Sequence, residues 1–136
     1  MRLRREVALF AVGGAIGLLV DASVVQALVG MAGWNPYLAR VLSFLLAASV
    51  TWWWNRRHTF AVRSSGRSPH AEWLHWMALM GLGALVNYGI YAALLAGFAW
   101  LHRWPALAVA AGSGGAAVLN FCMARGVLFR HPKTVA

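Results

Sequence analysis

The chain has 136 residues, of which 61% are hydrophobic, and it carries 12 Lys and Arg against 3 Asp and Glu. These few charged side chains cannot cover the surface of a soluble globule of this size, and the composition therefore excludes an ordinary soluble domain. It predicts one small membrane domain over residues 1–136. The formal net charge of +9 would suggest a nucleic-acid partner on a soluble fold. Here the basic residues flank apolar segments, which argues against nucleic acid.

The first half contains two apolar segments joined by a short turn. A basic cluster precedes an apolar run from residue 7 to about residue 29. A signal peptide starts in the same way, but its apolar core is only about 7 to 15 residues long and ends at a small-residue cleavage site. We therefore predict an uncleaved membrane helix at about 7–29, a turn containing Gly33 and Pro36, and a second helix at about 37–54.

The second half repeats this arrangement after a hydrophilic segment. Residues 56–71 have the sequence RRHTFAVRSSGRSPHA, which predicts a cytoplasmic linker at about 55–71. A third helix is predicted at about 72–97 and a fourth at about 106–124. Their lengths are close to the roughly 20 residues that cross a bilayer.

The distribution of basic residues predicts the orientation of these helices. One side of the membrane would carry ten of the 12 Lys and Arg residues, and the other would carry Arg40 and Arg103. Because cytoplasmic loops are enriched in Lys and Arg, we predict a multi-pass protein of the cytoplasmic (inner) membrane with both termini in the cytoplasm. The ten are Arg2, Arg4, Arg5, Arg56, Arg57, Arg63, Arg67, Arg125, Arg130 and Lys133.

The two halves form an internal repeat. At a shift of 66 the matched pairs are Glu6 and Glu72, Gly17 and Gly83, and Asp21 and Asn87. At a shift of 69 they are Pro36 and Pro105, Ser43 and Gly112, Ala47 and Ala116, Thr51 and Asn120, Arg56 and Arg125, and Phe60 and Phe129. Each half has two helices, so both halves start on the same side and the repeat is parallel. The predicted fold is all-α, with four transmembrane helices in two parallel-repeat hairpins.

Asp21 is the only acidic residue in the interior of a predicted span. A carboxylate at that depth is costly, which makes it a candidate functional group. Gly14 and Gly17 share its helix face, so it is expected to face another helix. The alternative is a structural acid that pairs with Arg40 or Asn87 and stabilises the bundle.

The second and fourth helices carry stripes of small and polar residues. These are Ser43, Ala47, Thr51 and Asn55 in the second helix, and Gly112, Ala116, Asn120 and Ala124 in the fourth. Such stripes are typical of tight helix packing, or they line a polar path. Both lead to an Arg, Arg56 or Arg125, whose planar fork of donors suits phosphate oxygens. Alternatively, these two Arg residues are orientation signals that reach the headgroups.

Metal and catalytic motifs are missing from the sequence. The five His residues have no ligand spacing with a Cys or carboxylate cluster, and Cys122 is the single Cys. There is no recognisable nucleophile–base motif and no phosphate-binding Gly-rich loop. We therefore expect no metal, no cofactor and no enzymatic activity.

Two motifs resemble those of the GtrA-like family of membrane proteins. WNRRHTF at residues 54–60 is similar to the family pattern Trp-Asn-Arg-Arg-x-Thr-Phe at the end of the second span. The fourth span resembles the family at Asn120, Phe121, Arg125 and Phe129, but Ala124 stands where the family usually has Asn. Asp21 falls where the family commonly has an acid or amide. The resemblance extends over about residues 5–130.

The resemblance implies that the protein flips polyprenyl-phosphate-linked monosaccharides across the cytoplasmic membrane for cell-envelope polysaccharide synthesis or glycosylation. The headgroup would cross along a polar groove while the polyprenyl tail stays in membrane lipid, without ATP. The candidate substrate-binding residues are Asp21, Arg40, Ser43, Thr51, Asn55, Arg56, Asn87, Asn120 and Arg125.

Two alternative functions remain. A non-transporting scaffold would recruit a membrane glycosyltransferase through the basic cytoplasmic face. A small proton-coupled exporter of cationic drugs would use Asp21, although dual-orientation exporters need balanced loop charges and the ratio of ten to two is unbalanced. Four helices enclose little room, so a parallel homodimer is one way to complete the path.

Overall fold

The computed structural model describes residues 2–133, except for the side chains of residues 36, 105, 106 and 109. Met1 and residues 134–136 of the predicted domain lie outside the described residues. The described chain forms four α-helices, which are α1 (Arg2–Gln26), α2 (Pro36–Trp54), α3 (Pro69–Gly97) and α4 (Pro105–Met123). π-helical turns follow α1, α2 and α4 at Ala27–Met31, Asn55–Thr59 and Ala124–Leu128, and a 3-10 turn lies at Ala99–His102. Short strands β1 (Arg63–Ser64) and β2 (His131–Pro132) pair in antiparallel fashion.

Local capping sets several helix boundaries. The Asn35 Oδ1 accepts hydrogen bonds from the backbone N–H groups of Tyr37 (2.9 Å) and Leu38 (3.4 Å), which starts α2. The Ser68 side chain accepts from the Ala71 N–H at 3.4 Å, so α3 begins at Pro69 and not at the predicted residue 72. The segment predicted as a linker at 55–71 therefore starts as a π-helical turn and ends as the first turn of α3.

The helices pack as two hairpins, α1 along α2 and α3 along α4. Glycine permits the close approach within each hairpin, because a Cβ on Gly17 would lie 2.5 Å from Thr51 Cγ2. In the second hairpin, a Cβ on Gly83 would overlap the Asn120 side chain. The two contacts join residues that the sequence repeat equates, since Gly83 follows Gly17 by 66 positions and Asn120 follows Thr51 by 69.

The outer surface of the bundle is apolar. Leu18 and Leu19 are each 68% exposed, and Leu85 is 71% exposed. Large apolar side chains outside and small or polar ones inside are the arrangement that a lipid environment favours. In the described part of the chain, two helical segments, Arg2–Met31 and Pro69–Gly97, are long and apolar enough to cross a membrane. The other two helices, α2 and α4, have 19 residues each.

The hairpins join at one end, which we call the basic end, where α1 and α3 begin and α2 and α4 finish. The rings of Phe60 and Phe129 stack there with centroids 4.9 Å apart. Trp76 and Leu128 pack beside them in a buried cluster. Because Phe60 and Phe129 also match in the repeat, this stack brings equivalent positions of the two halves together.

Candidate functional site

A cavity of about 350 Å³ lies between all four helices. Most of its wall is made of small residues, which leave space because their side chains do not reach the centre. Its polar lining consists of Asp21, Thr51, Asn87, Ser113 and Asn120. An apolar bundle thus contains an open cavity lined in part by a carboxylate, two hydroxyls and two amides.

Asp21 forms an ion pair across the first hairpin. Its Oδ2 accepts a hydrogen bond from Arg40 Nη1 at 2.8 Å, which is one of the pairings that the sequence left open. The other oxygen, Oδ1, is buried and has no hydrogen-bond partner within residues 2–133. A buried carboxylate oxygen without a donor is costly, which makes Oδ1 an unsatisfied acceptor on a residue that lines the cavity.

The amides of Asn87 and Asn120 are held close to neighbouring helices. A Cβ on Gly112 would lie 2.5 Å from Asn87 Oδ1, and Asn120 lies against Gly83. Asn120 Oδ1 is buried and, in the part of the chain that the structure describes, accepts no hydrogen bond. Like Asp21 Oδ1, it is an acceptor on the lining of the cavity without a protein donor.

The polar residues of the predicted stripe in the second helix do not all line the cavity. Thr51 lines the cavity, while its hydroxyl donates to Ala48 O at 2.9 Å. Ser43 is fully buried away from the cavity and donates to Arg40 O at 3.1 Å. Asn55 is also buried, donating to Thr51 O at 2.8 Å and accepting from the Thr59 hydroxyl at 2.6 Å. Ser43 and Asn55 therefore bond to carbonyl groups of α2 and are not among the residues that line the cavity.

Arg56 and Arg125 lie at the basic end and pair with carboxylates of the opposite half. Arg125 Nε donates to Glu6 Oε2 at 2.5 Å, and Arg56 Nε lies 3.6 Å from Glu72 Oε1. Each Arg thus approaches the Glu that begins the other hairpin. Neither Glu was predicted to have a role, although the repeat pairs the two Glu residues at the shift of 66 and the two Arg residues at 69.

The nine candidate residues are therefore not in one place. Four of them, Asp21, Thr51, Asn87 and Asn120, line the cavity. Arg40 does not line the cavity but donates a hydrogen bond to Asp21, which does. Ser43 and Asn55 bond to the backbone of α2, and Arg56 and Arg125 pair with Glu residues at the basic end.

The sequence matches the profile of the family described as GtrA/DPMS, transmembrane domain, over residues 9–129. The chain belongs to this family. The match includes every residue that lines the cavity and both π-helical turns at the basic end. Together with the apolar helices, membership identifies a membrane protein. It also fits a membrane function related to polyprenyl-phosphate sugars.

The chemistry of this GtrA/DPMS domain is that of a hydrogen-bonding site. Groups of three or more His, Cys, Asp or Glu that could hold a metal ion are not found among the described residues. The cavity offers acceptors at Asp21 and Asn120 and amide donors at Asn87 and Asn120. Sugar hydroxyls both donate and accept, so such a lining suits a carbohydrate headgroup.

Proposed function

We propose that this protein moves a polyprenyl-phosphate-linked monosaccharide across the cytoplasmic membrane. The observation that carries the proposal is a cavity of about 350 Å³ within an apolar bundle, with a carboxylate, two hydroxyls and two amides on its wall. Small-molecule sites commonly have volumes of about 300 to 1,000 Å³, so the cavity suits one sugar unit. The tail of such a substrate is apolar and can remain in lipid while the headgroup crosses.

In this proposal all four helices span the membrane. The 19 residues of α2 and of α4 extend for about 28 Å, which is near the roughly 30 Å of hydrocarbon in a bilayer. The basic end faces the cytoplasm because the ten basic residues of that side lie there. The equivalent Gly17–Thr51 and Gly83–Asn120 contacts support a parallel repeat of two hairpins.

The cavity replaces the hydration of the sugar during its movement. Asp21 Oδ1 and Asn120 Oδ1 accept hydrogen bonds from hydroxyl groups, and Asn87 donates to them. These bonds offset the cost of bringing a polar headgroup into a bilayer. Arg40 Nη1 donates to Asp21 Oδ2, so the other carboxylate oxygen, Oδ1, is the acceptor that this proposal assigns to the sugar.

Uptake from the cytoplasm requires the basic end to open. An aromatic cluster that includes Phe10, Trp76 and Phe121 lies about one helical turn from the cavity residues on that side. Separation of the hairpins there would break the Glu6–Arg125 and Glu72–Arg56 pairs. Arg125 would then be free to hold the substrate phosphate together with Arg56, whose 3.6 Å approach to Glu72 is too long for a hydrogen bond. We propose facilitated movement without a nucleotide and without a catalysed reaction.

Reconstitution tests this function directly. The protein would be placed in proteoliposomes with a short-chain polyprenyl-phosphate monosaccharide, and transbilayer movement would be followed for wild type, Asp21→Asn and Asn120→Ala. We expect movement that depends on the protein and falls at least about tenfold in both variants, since each loses a charged or buried hydrogen bond. The control is Arg103→Ala, outside the cavity. Wild-type rates in both cavity variants would reject the assignment.

A scaffold for a membrane glycosyltransferase is the second candidate, supported by the exposed basic residues Arg67 and Arg130. Arg63 does not belong to this surface, because its Nε donates to Glu6 Oε1 at 3.0 Å. Charge reversal as Arg67→Glu with Arg130→Glu would abolish recruitment in a scaffold. In a flippase that change would leave reconstituted transport intact.

A further inference from the structure

A second polar recess lies on the surface of the basic end, outside the central cavity. It has a volume of about 580 Å³ and is lined by Trp52, Trp53, Arg56, Arg57, Ala61 and Lys133. Two indole rings and three cationic groups therefore share one open space. None of these residues lines the central cavity.

The structure holds the three cations together from two distant parts of the chain. Arg56 Cζ lies 5.5 Å from the centroid of the Trp52 ring, and Arg57 Cζ lies 5.8 Å from that of Trp53. These cation–π contacts orient both guanidinium groups. The backbone N–H of Lys133 donates to Val62 O at 3.0 Å, which places Lys133 beside the segment that follows α2.

The positive charge of the recess is poorly compensated. The chain has only three acidic residues, and two of them bind elsewhere, Asp21 to Arg40 and Glu6 to Arg125. The third, Glu72, approaches Arg56 at 3.6 Å, which is too long for a hydrogen bond. Across residues 2–133, Arg57 and Lys133 have no carboxylate within 4.0 Å.

The oxygens of Glu72 are already satisfied by neutral donors. Trp52 Nε1 donates to Oε1 at 3.0 Å, and the Ser65 hydroxyl donates to Oε2 at 2.5 Å. Arg56 therefore keeps its donors available for another acceptor. Arg125, at the equivalent position of the second half, donates to Glu6 at 2.5 Å.

The recess occurs on one half of the repeat. The positions equivalent to Trp52 and Trp53 are Phe121 and Cys122, so the paired indoles have no counterpart in the second half. A signal for membrane orientation requires only charge. Oriented Arg side chains on Trp rings, joined by a Lys from the end of the chain, are a more specific arrangement.

We propose that this recess binds the phosphate group of an anionic lipid at the membrane surface. The guanidinium forks of Arg56 and Arg57 match phosphate oxygens, and Lys133 adds a point charge. Indoles are favoured at the level of the headgroups, which is where this proposal places Trp52 and Trp53. The ligand is a lipid phosphate, supplied by a bilayer phospholipid or by a polyprenyl phosphate. Phosphate binding in this recess does not require transport through the cavity.

Lipid titration of the full chain in a neutral detergent tests the site. Dioleoyl phosphatidylglycerol would be added, and bound lipid would be counted by native mass spectrometry for wild type and for Arg57→Ala with Lys133→Ala. Both side chains are exposed, so the double variant should fold normally. We expect its affinity to fall about tenfold or more, because two charge-assisted contacts are lost. Arg67→Ala, an exposed cation of the same end outside the recess, should bind like wild type.

The source of the phosphate is determined by competition. A short-chain polyprenyl phosphate would be titrated against bound phosphatidylglycerol, and the lipid that binds more tightly is the ligand. An unchanged affinity in the double variant would overturn the site. An equal loss in Arg67→Ala would also overturn it, since it would show non-specific attraction to a basic surface. Failure of reconstituted flipping would leave this result unaffected.

Discussion

Arg125 donates a hydrogen bond to Glu6 at 2.5 Å, although 119 positions separate the two residues in the chain. The second oxygen of Glu6 accepts from Arg63 at 3.0 Å, and the residue is only 3% exposed. One carboxylate therefore joins the start of α1, the segment between the hairpins and the turn after α4. Arg125 of the second hairpin binds Glu6 of the first, and Arg56 of the first hairpin approaches Glu72 of the second. Each hairpin therefore contributes one Glu and one Arg to the contacts that close the basic end.

Removal of the Glu6 carboxylate should destabilise the whole bundle. Glu6→Ala leaves Arg63 and Arg125 without their acceptor, and because both Arg side chains are partly exposed, we expect a loss of about 1.5 to 3 kcal/mol, the range for a hydrogen bond to a charged group. Unfolding of the purified protein in mixed detergent and dodecyl sulfate micelles would measure the change. Arg4→Ala, a nearby exposed residue, serves as the control. Equal stability of Glu6→Ala and Arg4→Ala would contradict the role of this carboxylate.

The close approach of α3 and α4 should depend on the absence of a side chain at position 83. Gly83→Ala places a methyl group where the Asn120 side chain lies, so we expect a loss of about 1 to 3 kcal/mol. The same experiment on Gly114→Ala provides a matched control, because a Cβ there meets nothing within 4 Å. Asn120→Ala added to Gly83→Ala should restore part of the stability. No recovery in the double variant would show that the steric conflict lies elsewhere.

Variants of Asp21 and Arg40 should show whether their ion pair is needed for stability of the bundle or for transport. Arg40 is 60% exposed on its side chain, whereas Asp21 lines the cavity with a free oxygen. We expect Asp21→Asn to reduce flipping more strongly than Arg40→Gln, although both remove the ion pair. Rates in proteoliposomes and thermal stability would be measured for each variant. If both variants lost the same fraction of the flipping rate, and that loss followed their loss of thermal stability, the ion pair would have a structural role only.

A disulfide across the basic end should stop transport if that end must open. Ser64 and His131 are directly paired in the β1–β2 ladder, and antiparallel partners lie about 4.5 to 5.5 Å apart at Cα. This spacing is within the range that a disulfide can bridge. Ser64→Cys with His131→Cys, in a Cys122→Ser background, should flip substrate when reduced and lose activity when oxidised. Undiminished flipping by the oxidised protein would show that the basic end stays closed during transport.

Much of the bundle was predictable from local sequence. Apolar runs located the four helices, and the family motif at 54–60 was recognised. The start of α3 was predicted three residues late, because Ser68 and Pro69 were assigned to a linker although they form a helix cap. The π-helical turn at Asn55–Thr59 was not predicted, since periodicity alone cannot separate a wider turn from the end of a helix.

The cavity was only partly predictable. Asp21, Thr51, Asn87 and Asn120 were selected because polar groups are costly in a span. Ser43 and Asn55 belong to the same four-residue spacing as Thr51, yet their side chains bond to the backbone or to Thr59. Spacing along a helix shows which residues lie on the same face. How many of those residues line a cavity depends on the positions of the neighbouring helices.

The sequence by itself determined the membrane class, the family and the pairs of equivalent positions in the two halves, because these follow from composition, motif and spacing along one chain. The tertiary structure decided which residues of the two halves meet. It placed Glu6 on Arg125, stacked Phe60 on Phe129 and left Asp21 and Asn120, two residues that line the cavity, each with a buried oxygen that accepts no hydrogen bond from the described residues. Such contacts depend on the relative position of two hairpins. That position is set by packing between residues that are distant in the chain.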